Sequence, residues 1–373
     1  MKISFVTSNL APFRIDWLDE LAKTQDVTIY YNDDYVKNVN PIYIKRQPKR
    51  AKYINISKYI FNNIRIFNFM KIIKNKTDLL ILDGYGFFSQ VLLIFILKIL
   101  LRPFVLSVDG GLIDLNEKKF KYEFKKKIIS SATYYLSTSN ATDDFLMRYG
   151  AKKERIFRHK FTSLHITDLN TSIISNDEKK LIRDNLDIVD KFTIIGVGKF
   201  IHSKGFDILI DSLKFVKEDV NVVVVGGEIT KEYSTLINRN AISNVTFIDF
   251  CDKNKLNDYY NAANLFVLPT RSDVWGLVIN EAMAKGLPVI TTEKCIAGIT
   301  LIKNGENGFI VPIEDVQALA KYIEILINDD KLCDIMGKNN LAKISEYTFE
   351  KIVECDIATF NHILMHRGEK NGK

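Results

Sequence analysis

Residues 268–292 read LPTRSDVWGLVINEAMAKGLPVITT, and this stretch decides the fold. The run that enters it, Leu265 to Leu268, is short, apolar and bounded by Pro269 and Thr270, which predicts a buried strand. A polar loop follows. From Leu277 to Ala284 the apolar spacing fits a helix, which Gly286-Leu-Pro288 stops ahead of a second strand at Val289 to Thr291. In such a strand, loop, helix, strand unit the helix N-terminus offers unpaired N–H groups and the positive end of its dipole. Gly276, with no side chain, would let a phosphate approach the backbone there. Two carboxylates flank the turn. They read either as ligand contacts, Glu281 to hydroxyls along the helix start and Asp273 at the mouth, or as a helix cap and a solvated helix residue.

The alternation continues through the rest of the chain. Phe192 to Ile195, Val222 to Val225 and Val245 to Ile248 read as strands, with helices at Phe206 to Val216 and Leu256 to Ala263. Nearer the start, strands at Lys2 to Thr7 and Val27 to Tyr31 bracket a helical pattern through Leu18, Leu21 and Ala22. Leu79 to Leu82 then runs into Asp83-Gly-Tyr-Gly86, and Phe104 to Val108 into Asp109-Gly-Gly111. Tyr134 to Ser139 leads to a helix capped within Asn140-Ala-Thr142. With 373 residues, this pattern predicts two α/β domains. The first covers 1–165, a linker rich in Ser, Thr and Asn covers 166–190, and the second covers 191–347. A last helical stretch, 348–373, is expected to pack back toward the first domain and to fray over 367–373. Parallel sheets bind ligands at the loops after their strands. Asn9, Arg14, Asp109 and Gly110 are therefore candidates for a binding site, although Arg14 reads equally as a surface residue and Asp109 as a turn former.

Composition sets limits. Hydrophobic residues make up 47% and charged residues 26%, ordinary for globular domains with their own cores. The four cysteines, Cys251, Cys295, Cys333 and Cys355, lack metal or redox spacing and read as free thiols in a reducing compartment. Strand-like residues follow Lys2 at once, so no secretory leader is expected. The apolar run Val91 to Leu101 is too short to span a bilayer and reads as a core helix. Residues 1–165 hold 28 Lys and Arg against 15 Asp and Glu, whereas 166–373 hold 24 against 30. Ten of the basic residues, with no acidic one, lie in Pro41 to Lys76, interleaved with Tyr43, Tyr53, Tyr59, Phe61, Phe67 and Phe69. That mixture suits an anionic membrane surface, the plainer alternative being a solvated face. No nucleic-acid motif accompanies the charge, so nucleic acid is not an expected partner.

In GVGKFIHSKGFDILI, Gly196 to Ile210, Lys199 and Lys204 stand between a strand and a helix. Two ammonium groups beside a glycine turn make an anion site able to neutralise a departing diphosphate. The segment is neither a dinucleotide fingerprint nor a P-loop. Together with Asp273-x7-Glu281 and the following Ala-Met-Ala-x-Gly-x-Pro-Val-Ile, it resembles the donor site of the retaining glycosyltransferases of family 4. Their usual form has Glu at both ends of the second motif and commonly Arg where Lys199 stands.

The resemblance implies a GT-B fold, two Rossmann-like domains facing across a cleft, which binds a nucleotide diphosphate sugar, with UDP favoured. Carried over by position, Gly198, Lys199 and Lys204 would hold the diphosphate with the backbone of Gly276 and Leu277. Glu281 would bind the ribose hydroxyls and Asp273 the sugar, with Trp275 shaping its surroundings. Phe250 and Cys251 would face the base, although Asp249 stands where a glycine is frequent. Lys199, Lys204, Asp273 and Asp109 are the candidates for catalysis, with the new bond formed on the face the diphosphate leaves. The chain contains no Asp-x-Asp, so no metal and no other cofactor is expected. The implied setting is the cytoplasmic face of the cell membrane, with a lipid-linked or polysaccharide acceptor, as in capsule, exopolysaccharide or O-antigen synthesis. The alternatives are an epimerase or phosphorylase of the same architecture and a non-catalytic partner subunit.

Overall fold

The structure is a computed structural model that describes residues 1–32, 47–60, 64–240 and 244–371. The chain divides into two compact units, Met1–Thr162 with Phe349–Lys373, and Ser163–Thr348. Among the described residues no helix is long and apolar enough to cross a membrane.

The first unit is built on seven parallel strands: β1 (Lys2–Thr7), β2 (Asp26–Tyr31), β3 (Lys52–Asn55), β6 (Leu79–Asp83), β7 (Val105–Val108), β8 (Tyr134–Ser137) and β9 (Ile156–Arg158), in the order β3-β2-β1-β6-β7-β8-β9. A separate antiparallel pair, β4 (Ser57–Ile60) and β5 (Ile64–Phe67), lies between β3 and β6 in the sequence. Successive residues of a strand point to opposite faces, and here both faces are covered. Ile3, Phe5, Leu79 and Ile81 belong to one apolar cluster, whereas Val6, Leu80 and Leu82 belong to another. Helix α1 (Pro12–Leu21) and the C-terminal helix Phe349–Asn371 complete the first cluster through Trp17, Leu18, Phe349, Ile352 and Phe360. The helices Phe88–Ile99, Lys119–Ile129 and Asn140–Arg148 complete the second.

The second unit carries six parallel strands, β10 (Phe192–Val197), β11 (Val220–Val225), β12 (Val245–Ile248), β13 (Leu265–Leu268), β14 (Val289–Thr292) and β15 (Gly308–Val311), in the order β12-β11-β10-β13-β14-β15. The strand order reverses beside β1 in the first unit and beside β10 in the second. Those are the switch points at whose carboxyl edge open α/β sheets bind ligands.

Three expectations need correction. Residues 166–190 are not a linker, because Asn176–Asn185 forms a helix of the second unit. Its Arg183 is buried and donates to the Ala262 carbonyl, Asp190 and Asn264, contacts that local composition does not reveal. The helix after β8 is capped by Ser139, whose Oγ accepts from the Thr142 N–H at 3.0 Å, one residue ahead of the expected cap. The last helix runs to Asn371, into the stretch 367–373 that was expected to fray. Of the basic segment 41–76, residues 41–46 and 61–63 lie outside the described residues.

Asp356 ties the C-terminal helix to the first sheet. Its buried carboxylate accepts from Trp17 Nε1 at 2.8 Å and meets His159 Nδ1 at 2.9 Å. Asp356→Ala strands both partners in the core and is expected to cost about 3 kcal/mol, read as a lowered unfolding midpoint. Asp356→Asn, which still accepts from Trp17, should cost less.

Candidate active site

Two loops and a helix start meet at the carboxyl edge of the second sheet. The first follows β10. Gly198 donates its N–H to the Val225 carbonyl at 2.9 Å, and a Cβ on Gly226 would stand 1.8 Å from the Gly198 oxygen. Gly205, at φ 71°, closes the loop against β13, where a Cβ would meet the Pro269 oxygen at 2.0 Å. Backbone thus lies directly on backbone, and Lys199 and Lys204 are carried between these two contacts.

The second loop follows β13. Arg271 fixes it, pairing with both oxygens of Asp207 at 2.8 and 2.6 Å, donating to the His202 carbonyl at 2.7 Å and pairing with Glu314. Burial would raise the Asp207 carboxyl, but the Arg271 guanidinium holds it below its usual value. The Arg271 N–H donates to Ser203 O at 2.8 Å and the Thr270 hydroxyl to the same oxygen at 2.6 Å. The lysine loop is therefore stapled to the aspartate loop, and Lys204 Nζ sits 2.5 Å from Asp273 Oδ2.

The third element is the helix Leu277–Ala284. Its N-cap, Gly276, adopts φ 100° and offers no capping side chain, so the first turn is open to an anion. A Cβ there would lie 2.7 Å from Cys295 Sγ. Glu281, one face down the helix, accepts from Ser163 Oγ at 3.0 Å and Tyr260 Oη at 3.1 Å. Burial raises its pKa, with both hydroxyls opposing. Trp275 departs from expectation. Its indole is buried and donates to Asn280 Oδ1 at 2.9 Å, because a buried indole N–H needs an acceptor and the core supplies one. It supports the loop from within, and its carbonyl accepts from the Ala297 N–H at 2.8 Å. Phe250 is 45% exposed and its ring lies over Gly227 at the end of β11. Cys251 beside it is half-buried, and burial pushes its thiol up.

At the carboxyl edge of the first sheet, Arg14, Asp83 and Asp109 converge. One guanidinium nitrogen of Arg14 lies 2.7 Å from Asp83 Oδ1 and 2.8 Å from both Asp109 oxygens. Phe5, Phe13, Trp17 and Phe161 surround that guanidinium. Arg14 was a candidate to face a ligand, yet it is 3% exposed and positions the two aspartates instead. Thr7 Oγ1 donates to Asp83 Oδ2 at 2.8 Å and lies 3.0 Å from the Asn9 carbonyl. Thr138 Oγ1 donates to the Asp109 carbonyl at 2.8 Å, which places Gly110 just beyond at the rim. Thr7, Arg271, Ser163 and Tyr260 were missed in the sequence, whereas Asp83 was read there as a strand-ending carboxylate like Asp109 without being taken as a site residue.

Residues 177–343 match the family described as glycosyl transferases group 1. The chain carries that match within its second unit. It is a glycosyltransferase, similar to an uncharacterized glycosyltransferase of Haemophilus influenzae, 27% identical over 67% of this chain and 74% of that one. It is also similar to the capsular polysaccharide biosynthesis glycosyltransferase CapM of Staphylococcus aureus, 30% identical over 54% of this chain and 52% of that one. The chain thus spans about three quarters of the first relative and about half of the second. Among solved structures, Anabaena HepE in complex with UDP superposes with a TM-score of 0.79 over 97% of this glycosyltransferase and 100% of that chain, at 18% identity. That likeness shows the GT-B type of fold.

Two outcomes test this geometry. Arg271→Ala should cost about 2–4 kcal/mol by leaving Asp207 uncompensated, and Arg271→Lys should recover little because it cannot make the bidentate pair. Denaturant titration reads both. Burial first, with the Asp109 charge, pushes Asp83 up to about 6 from 3.8, against Arg14 and Thr7. Asp83 therefore holds its proton more tightly folded than unfolded. Its contribution is complete below pH 3.8 and is lost as pH rises through about 6. Wild type minus Asp83→Asn in unfolding midpoint should accordingly fall across that window.

Proposed function

We propose that this glycosyltransferase moves a sugar, with retention, from a nucleoside diphosphate sugar, UDP-sugar first, to a lipid-linked or polysaccharide acceptor in surface-polysaccharide synthesis. The observation that carries it is one edge of the second sheet, where the loop of Lys199 and Lys204 is stapled beside a helix that begins uncapped at Gly276. Together they give two cations and an open helix start for one dianionic group. CapM is named for capsular polysaccharide biosynthesis and HepE was solved with UDP, which supports the choice of acceptor class and base.

In this reading Lys199, Lys204 and the N–H groups of Gly276 and Leu277 hold the diphosphate, and Glu281 takes the ribose hydroxyls. The backbone at Phe250 and Cys251 faces the base. Lys204 gives up Asp273 on binding and turns to the phosphate. The freed Asp273 accepts from a sugar hydroxyl. As the anomeric bond breaks, charge grows on the departing diphosphate, and fixed cations that need no rearrangement at that moment lower the barrier. The acceptor oxygen attacks the same face, and its proton passes to the leaving phosphate oxygen. Asp109, held by Arg14, and Gly110 line the acceptor site with Asn9. The lysines supply the counter-charge that a metal would otherwise bring, so transfer proceeds without added divalent ions. The enzyme works from the cytoplasm as a peripheral protein of the inner membrane face, with residues 41–76 drawn to anionic lipid.

Thermal unfolding with UDP, GDP, ADP and their sugars, without metal, tests the donor site. One nucleotide family should stabilise wild type and fail to stabilise Glu281→Ala. No shift with any nucleotide sinks the reading. Lys204→Ala should lower donor turnover about 10²–10³-fold, measured as nucleotide release.

A further inference from the structure

The acceptor-side edge of the first sheet carries an apolar and basic surface that the donor chemistry leaves unused. The loop after β7 leaves Asp109 and Gly110 and exposes Ile113 and Leu115, the latter at 83%. It leads into the helix Lys119–Ile129, KFKYEFKKKII. Ile128 and Ile129 turn into the core. Phe120 and Phe124, one turn apart, stack on each other with ring centroids 6.4 Å apart and are 81% and 44% exposed. Phe88, at the start of the helix after β6, is 76% exposed. Helices that follow parallel strands begin at the carboxyl edge of the sheet, so Phe88, Leu115 and Phe120 share the edge where Asp83 and Asp109 stand.

Lys118, Lys119, Lys121 and Lys127 are exposed around the ring pair. Lys126 is exposed as well, so five exposed lysines stand against two exposed carboxylates, Asp114 and Glu123, while Glu117 is already held by Lys125 and the Tyr149 hydroxyl. By contrast, the aromatics of the 41–76 segment are partly spent inside, where Phe67 and Phe69 stack with Phe69 in the core. A water-soluble partner would have to desolvate a rim of lysines. A bilayer takes rings at the headgroup boundary while anionic headgroups meet the ammonium groups.

We infer that residues 113–127 with Phe88 form the main surface by which this enzyme docks on an anionic phospholipid bilayer, Phe120 and Phe124 entering the interface and the lysines meeting the headgroups, with the 41–76 segment contributing less. The inference rests on the acceptor reading above, and it places the rim of the acceptor site at the lipid surface where a lipid-linked glycan would present itself.

Co-sedimentation of the full chain with vesicles of phosphatidylglycerol and phosphatidylcholine, against pure phosphatidylcholine, tests it. Wild type should bind the anionic vesicles, less as salt rises. Phe120→Ser with Phe124→Ser should lower partitioning about tenfold or more, and Lys118→Gln with Lys119→Gln and Lys121→Gln should remove most of the salt dependence. Lys49→Glu with Arg50→Glu should change binding less. Nucleotide-induced stabilisation read on the same variants should match wild type, which separates a failed docking surface from a failed donor site. Unchanged vesicle binding by the Phe120/Phe124 variant, or no binding by wild type, overturns the inference. So does conversion of a wild-type dimer to a monomer in that variant with vesicle binding intact, which would assign the surface to a second copy.

Discussion

Backbone pressed on backbone at the carboxyl edge of the second sheet is the constraint from which the candidate site follows. Oxygens of Gly198 and Pro269 occupy the space where a Cβ of Gly226 or Gly205 would go, at 1.8 and 2.0 Å. No rotamer adjustment relieves such contacts, because backbone cannot swing aside. The loops after β10 and β13 consequently share one surface, and Arg271 locks them with a bidentate pair to Asp207 and a bond to the His202 carbonyl. Lys204 is thereby delivered to Asp273 by loops that have little freedom left to lose. A flexible lysine held this way costs less entropy on binding an anion than one on an open turn.

The first unit solves a different electrostatic problem. Two carboxylates at neighbouring strand ends would repel, and burial disfavours both charges. One buried guanidinium touching both, walled by four aromatic rings, offsets that repulsion. The Arg14 Nε finds no partner among the described residues, so its charge is directed toward the aspartates through one nitrogen. The arrangement keeps Asp109 oriented at the rim without a rigid loop around it, and the exposed loop that follows is free to serve another surface.

The sequence made the strand and helix alternation legible because parallel strands buried on both faces read as continuous apolar runs. Leu265–Leu268 and Leu277–Ala284 fall where the pattern puts them. Residues that act through distant partners were not legible. Arg271 looks like any loop arginine until Asp207, 64 positions earlier, is beside it. Ser163 reaches Glu281 across 118 positions. The helix Asn176–Asn185 hid for a related reason, since what holds Arg183 to Ala262 and Asn264 lies some 80 positions on. Trp275 misled in the opposite direction, its bulk suggesting a ligand wall while its N–H bound it to Asn280 in the core.

Asp273 and Glu281 show how one residue class serves two tasks through environment. Asp273 faces a cation that can be drawn away, so a ligand bringing a better anion for Lys204 releases a carboxylate beside it. Glu281 faces neutral hydroxyls from Ser163 and Tyr260. A carboxylate has about four acceptor positions, and those two donors leave roughly half of them for hydroxyls of a ligand. Burial makes an unpartnered charge there costly, so each added hydroxyl donor offsets desolvation already incurred. The site is thus graded from a mobile ion pair at its mouth to a fixed acceptor within. In the proposed reading a molecule carrying a diphosphate at one end and a vicinal diol further in satisfies both together, whereas one lacking the diphosphate leaves Lys204 on Asp273.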